Sequence, residues 1–104
     1  QELATMAQFG INSVVVVFND SAYGNVRRTQ DTAFSGHILG SDLRNPDFVK
    51  LADSFGIEAH RADGPDALRT TLRKALDSNA PALIEVPMKV MPNPFAAFMP
   101  PQPD

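Results

Sequence analysis

The residues best suited to chemistry in this chain gather where an apolar run stops. Val14-Val15-Val16-Val17-Phe18 gives way directly to Asn19-Asp20-Ser21. A continuous apolar, β-branched run reads as a strand covered on both faces, as in parallel α/β sheets. In open sheets of that type, ligands collect beyond the carboxyl ends of the strands. Asn19 and Asp20 would then bring two oxygen-bearing side chains to that rim. Hard cations such as Mg²⁺ prefer oxygen ligands and commonly share them with substrate phosphates. The Asp20 carboxylate and a nearby loop carbonyl would form one side of such a site. The same Asn-Asp pair is also ordinary turn chemistry, and the local pattern does not separate the two.

The other polar candidates are dispersed. His37 and His60 have no His or Cys partner at metal-binding spacing. His60 falls in a short, weak strand and reads as structural or exposed. His37 lies in a long loop from which it can approach a substrate. Arg27 and Arg28 read as solvated or ion-paired, with carboxylate binding as the functional alternative because a guanidinium fork matches a carboxylate. Tyr23 reads as packing, and no residue is assigned a catalytic role.

These residues depend on the elements around them. Leu3, Met6 and Ala7 recur at helical spacing, and Gly10 closes that helix. The helix opens at Gln1 with no capping residue before it, which is expected of a cut inside a longer sequence. After the apolar strand, residues 19–45 show no clear periodicity apart from a possible short helix at Asn25–Gln30. A loop of that length is functional or partly disordered. Asn45 as cap and Pro46 in the first turn then open a helix whose core face is Phe48, Leu51, Ala52 and Phe55. Ile57–Ala62 is a weak strand. Asp63 or Gly64 caps the next helix, with Pro65 in its first turn and Leu68, Thr71, Leu72, Ala75 and Leu76 as its buried stripe. Ala82-Leu83-Ile84-Glu85-Val86 is a second apolar strand, closed by Pro87. This alternation predicts an α/β fold, a three-layer parallel sheet with helices on both faces. A Pro-rich tail follows over 88–104, with Met and Phe that suit packing on a surface or another subunit.

Composition excludes several classes. The net charge is −3, and the basic residues Arg27, Arg28, Arg69, Arg73 and Lys74 form scattered groups rather than a stripe. That argues against a nucleic-acid partner. There is no cysteine, so disulfides and thiolate metal sites are absent, which suits a cytoplasmic protein. No apolar run approaches membrane-spanning length.

Read in order, Gln1-Glu2-Leu3-Ala4-Thr5, Gly10-Ile11-Asn12, Val14–Phe18 and Asn19-Asp20-Ser21-Ala22-Tyr23-Gly24 resemble the thiamine-diphosphate-dependent enzymes of the acetolactate synthase and benzoylformate decarboxylase superfamily. Asn45-Pro46-Asp47-Phe48 through Gly56 and Ala80-Pro81-Ala82-Leu83-Ile84-Glu85-Val86-Pro87 extend the likeness over residues 1–87. The resemblance implies the C-terminal part of a diphosphate-binding domain, with thiamine diphosphate and Mg²⁺ as cofactors. In that family a Gly-Asp-Gly aspartate and the second residue of an Asn-Asn pair bind Mg²⁺ through side chains, and a carbonyl two residues on completes the protein ligands. Asp20 stands where the second Asn is usual and keeps an oxygen ligand while adding a negative charge. Ala22 would supply the carbonyl and Asn19 would shape the turn. Tyr23 and Gly24 belong to the same cofactor-binding loop, with Gly24 letting the backbone pass close to the diphosphate.

The family's Gly-Asp-Gly motif would lie before Gln1, and its activating glutamate belongs to another domain. The resemblance therefore implies a chain inactive alone, within a homo-oligomeric lyase or transferase. The whole enzyme would decarboxylate 2-oxo acids or join them to a second carbonyl compound. The rival reading is a non-catalytic α/β interaction or regulatory module. It accounts for the alternation of strands and helices but not for the rim loop.

Overall fold

The computed structural model describes residues 1–89. The part of the Pro-rich tail from residue 90 onward, with its expected surface packing, lies outside them. The elements run α1 (Glu2–Phe9), β1 (Val14–Asn19), α2 (Gly24–Ala33), α3 (Phe48–Ser54), β2 (Glu58–Arg61), α4 (Pro65–Asp77) and β3 (Ala82–Pro87). The three strands form one sheet in the order β1-β3-β2. β1 lies parallel to β3 from Val14 opposite Ala82 to Asn19 opposite Pro87. β2 lies parallel along the other side, from Glu58 opposite Ala82 to Arg61 opposite Glu85.

This order explains the layers. The connection from β1 to β2 crosses the sheet one way, and the connection from β2 to β3 returns. Crossovers between parallel strands are almost always right-handed, so opposite directions put their helices on opposite faces. The packing agrees. On one face α4 contributes Leu68, Leu72 and the buried Ala75, which meet Val14, Val16, Ala82, Ile84 and Val86. On the other, α1 and α3 contribute Met6, Ala52, Phe48 and Phe55, which meet Val15, Val17 and Leu83. The absence of alternation in β1 is thus explained: its even valines face α4, and its odd valines face α1 and α3.

β3 is the better protected strand. All residues from Ala82 to Val86 are buried, whereas those of β1 are mostly half-buried. β1 has a strand on only one side among the described residues.

Helix ends refine the sequence-based expectations. Gly10 closes α1 in the left-handed region at φ 59, and Gly64 at φ 89 precedes Pro65 in the first turn of α4. The cap of α3 is Asp47, not Asn45: Asp47 Oδ1 accepts from the N–H groups of Val49 and Lys50, both at 3.1 Å. Leu51 and Leu76, expected in buried stripes, are exposed at 37% and 62%. Each helix meets the sheet along a narrower face than its apolar pattern covers.

α2 is longer than the expected 25–30 and buries none of its residues. It is held by polar contacts instead. Gln30 Nε2 donates to the Leu39 carbonyl at 2.8 Å, and the hydroxyl of fully buried Ser41 donates to Gln30 Oε1 at 2.6 Å. Among the described residues no helix is long and apolar enough to cross a membrane.

Candidate functional site

Parallel pairing brings the carboxyl ends of all the strands to one rim, and polar side chains interlock there. Glu85, on the central strand, is only 4% exposed. Arg61 at the end of β2 approaches it from one side, with Nε at 2.9 Å and Nη2 at 2.8 Å from Oε2. Asn19 at the end of β1 approaches from the other and donates from Nδ2 to Oε1 at 2.7 Å. The bond to Glu85, first, and its charge, second, hold the Arg61 guanidinium above its ordinary pKa. Arg61 Nη2 also lies 3.5 Å from Asp47 Oδ1. The Lys50 N–H is the main cause that keeps the Asp47 carboxyl below its ordinary value, with the charges of Arg61 and Lys50 assisting against partial desolvation.

Asn19 passes this network on to the rim loop. Its Oδ1 accepts from Asn45 Nδ2 at 2.8 Å and from the Ser21 N–H at 3.1 Å. Its carbonyl accepts from the Met88 N–H at 2.7 Å. Ser21 adopts φ 54, a left-handed conformation uncommon outside glycine. Asp20 Oδ1 accepts from the Ala22 N–H at 3.1 Å, an Asx turn. Ala22 forms an antiparallel bridge with Asp42. The bridge bonds run from Tyr23 N–H to the Ser41 carbonyl at 2.8 Å and from Leu43 N–H to the Ser21 carbonyl at 2.7 Å. They flank the pair and leave the Ala22 carbonyl outside the bridge.

Beside this loop lies an open cavity of about 460 Å³, lined by Asp20, Ser21, Ala22, Gly24, Arg27, Arg28, Asp31, Asp42 and Lys89. Asp20, Ala22 and Gly24 therefore come together on one concave surface. Asn19 turns inward to Glu85, and Tyr23 is 59% exposed. Gly24 is the first residue of α2, and the left-handed backbone of the loop falls on Ser21. Arg27 pairs with Asp42 at 2.6 Å, and Arg28 donates to Asn25 Oδ1. The His60 imidazole lies 2.8 Å from Glu58, and His37 Nδ1 lies 3.1 Å from the Phe34 carbonyl; neither lines the cavity. Among the described residues no three His, Asp or Glu side chains converge as a metal cage.

The residue that sequence reading passed over is Glu85. Its signal was present: a lone carboxylate inside the apolar run Ala82–Val86, since Glu is almost never buried unless paired. The partner, Arg61, is distant in sequence and could not be read from the same segment.

Residues 1–86 match the thiamine pyrophosphate enzyme family in its C-terminal TPP-binding domain, TPP being another name for thiamine diphosphate. The chain belongs to this family. As a TPP-binding domain it is 36% identical over 85 residues to the mitochondrial acetolactate synthase catalytic subunit of Aspergillus candidus, covering 82% of this chain and 12% of that protein. It is 36% identical over 87 residues to a probable acetolactate synthase large subunit of Methanocaldococcus jannaschii, covering 83% and 15%. It is 34% identical over 92 residues to an acetolactate synthase of Bacillus subtilis, covering 88% and 16%. The chain thus spans less than a fifth of the length of these relatives. The family match takes in both faces of the sheet and the whole rim loop of the TPP-binding domain.

Proposed function

We propose that this TPP-binding domain forms one wall of the cofactor site in an acetolactate synthase-like enzyme acting on 2-oxo acids, by carboligation or decarboxylation. The supporting observation is the delivery of Asp20 and Ala22 to the carboxyl rim of a parallel sheet, directly before the start of α2. The donor chemistry fits Mg²⁺. The turn bond engages Asp20 Oδ1, leaving Oδ2 and the Ala22 carbonyl as hard oxygen donors. Mg²⁺ is usually bound by one or two carboxylates plus phosphate and water, rather than by an all-protein cage.

α2 suits the diphosphate. Its cap residue Tyr23 makes no side-chain bond to the first turn, and that turn carries no acid. Its leading N–H groups and the helix dipole are therefore open to an anion. Arg27, Arg28 and Lys89 line the same cavity opposite Asp20, Asp31 and Asp42, with Arg27 paired to Asp42, so its charge is balanced. When bound, thiamine diphosphate supplies the nucleophilic carbon and electron sink for chemistry beside a carbonyl. This chain's residues bind and orient: Asp20 and Ala22 hold the metal, and α2 holds the phosphate end. The proton-transferring groups, the second wall and the homo-oligomeric assembly belong to the rest of the enzyme, so the chain alone is inactive. A cytoplasmic setting, read from the absence of cysteine, is part of the same proposal. A non-catalytic module would give the Asp20–Gly24 loop no purpose.

The test is Asp20→Ala in the enzyme that carries this domain. The Mg²⁺ concentration for half-maximal thiamine diphosphate binding, read by calorimetry, should rise at least about tenfold. Asp20→Asn keeps an oxygen donor and should lose less. An unchanged Mg²⁺ requirement in Asp20→Ala overturns the assignment.

A further inference from the structure

The rim loop contains a conformational demand and a device that meets it. Ser21 sits at φ 54, where side-chain-bearing residues are uncommon. Three bonds hold it there: its N–H to Asn19 Oδ1 at 3.1 Å, its carbonyl to the Leu43 N–H at 2.7 Å and its hydroxyl to Asn19 Oδ1 at 3.5 Å. The first exists only if the Asn19 amide presents its oxygen to the loop. A half turn about the last torsion would exchange Oδ1 and Nδ2 with little change of shape. It would also set donor against donor at the Ser21 N–H, which has no acceptor end to offer.

Glu85 decides the orientation. A carboxylate paired with Arg61 only accepts hydrogen bonds, and this one is buried at 4% exposure. Its Oε2 is taken by Arg61 and its Oε1 faces Asn19 at 2.7 Å. Asn19 must therefore give Nδ2 to Glu85 and Oδ1 to the loop. We infer that Glu85 is a positioning residue: by fixing the Asn19 amide it holds Ser21 in its left-handed conformation and aims Asp20 and Ala22 together at the rim. This rests on the proposed metal role of Asp20 and Ala22.

The test exchanges the two groups. In Glu85→Gln the introduced oxygen must face Arg61, which only donates, so the introduced amide nitrogen faces Asn19 and drives the flip. In Asn19→Asp a second carboxylate meets Glu85 across the 2.7 Å contact. Combining Glu85→Gln with Asn19→Asp restores the pattern: the introduced amide donates to the introduced carboxylate, which still accepts from Ser21 and Asn45. Two readouts apply in the enzyme that carries this domain. One is hydrogen–deuterium exchange of residues 19–24 in metal-free protein. The other is the Mg²⁺ concentration for half-maximal thiamine diphosphate binding.

Both single variants should raise the exchange rate of residues 19–24, and should raise the Mg²⁺ requirement about tenfold, as for other residues that orient a metal ligand. The double variant should return both to near the parent values. The inference is overturned if folded Glu85→Gln changes neither readout, or if the double variant is no better than the singles. A merely structural role lowers the melting temperature and leaves the Mg²⁺ requirement of the folded protein unchanged. If a single variant does not fold, the double variant decides: parent-like readouts support the inference, while misfolding or a raised Mg²⁺ requirement overturns it. Asp20→Ala runs in parallel. If it leaves the Mg²⁺ requirement unchanged, the metal reading fails and exchange at the loop still judges Glu85. If it raises the requirement and the Glu85 variants do not, only the present inference fails.

Discussion

Ile84→Ala should be the most damaging truncation on the α4 face of the sheet. Ile84 is 0% exposed, at the middle of the central strand between Val16 and His60. Deleting three carbons removes about 2.4 kcal/mol of transfer free energy, at about 0.8 kcal/mol per methylene. The cavity left behind adds to that, and how much depends on whether neighbours can collapse into it. Here Ala62, Ala75 and Ala82 form much of the wall. Their methyl groups sit on fixed backbone and cannot reach inward, so adjustment falls to Val14, Val16, Leu68, Leu72, Val86 and Met88. The expected loss is about 3–4 kcal/mol, a large share of the stability of a small domain. Ile84→Val should lose about 1 kcal/mol. Leu76→Ala, on the same face by sequence pattern but 62% exposed, should change stability by less than about 0.5 kcal/mol. The assay is urea denaturation of the chain followed by far-ultraviolet circular dichroism, because there is no tryptophan and the single tyrosine, Tyr23, is 59% exposed. A loss below about 1.5 kcal/mol at an unchanged urea slope would refute the reasoning, since transfer alone exceeds it. So would a Leu76→Ala loss equal to that of Ile84→Ala.

Other predictions follow from the rim and the sheet edge. The Asp47 carboxyl is held below its ordinary value of 3.8. Its stabilising contribution is therefore complete above that pH and is lost as pH falls through the lowered folded value. Acid titration of stability in Asp47→Asn should show a shallower decline below pH 3.8 than the parent; parallel curves would sink the claim. The outer side of β1 has no partner strand among the described residues, and Phe9, Ile11 and Phe18 are exposed nearby in sequence at 70%, 44% and 53%. An open strand edge with apolar neighbours favours association, so the isolated chain should sediment as an oligomer at high concentration, and a well-behaved monomer would count against this. Calorimetry of the isolated chain with thiamine diphosphate and Mg²⁺ should show negligible heat, and tight binding would show that one wall suffices.

Much of the architecture was legible because its signals are local. The β1 run, the Gly10 stop and the Gly64-Pro65 start of α4 each announce themselves within a few residues. The misplaced details share a different cause. Asn45 has the chemistry of a cap, but its amide is recruited by Asn19, 26 residues away, and Asp47 caps α3 instead. Leu51 and Leu76 fit a helical stripe, yet the face that meets the sheet is narrower than the stripe. α2 offered no periodicity because it buries nothing; side-chain bonds to the 39–41 segment hold it. For the candidate site, strand-then-loop order pointed to Asp20, while Ala22 and Gly24 entered through the resemblance; the structure lines one cavity with all three. The Glu85–Arg61 pair was not, because it depends on which strands are neighbours.

Strand order also explains why a carboxylate is tolerated in the middle of the sheet. Among the described residues only β3 has a neighbour on each side, so only a β3 residue there can receive donors from two strand ends at once. At position 85 the neighbours in register are Val17 and Arg61, and Asn19 lies two residues beyond Val17 on the same face. Glu85 is thus the point where the ends of β1 and β2 are tied together across β3. A hydrophobic residue there would avoid the cost of desolvation, and buried ion pairs are weak contributors to stability. It would not distinguish the two ends of the Asn19 amide. The position therefore favours the residue that carries directional information from the core of the sheet to the loop that bears Asp20.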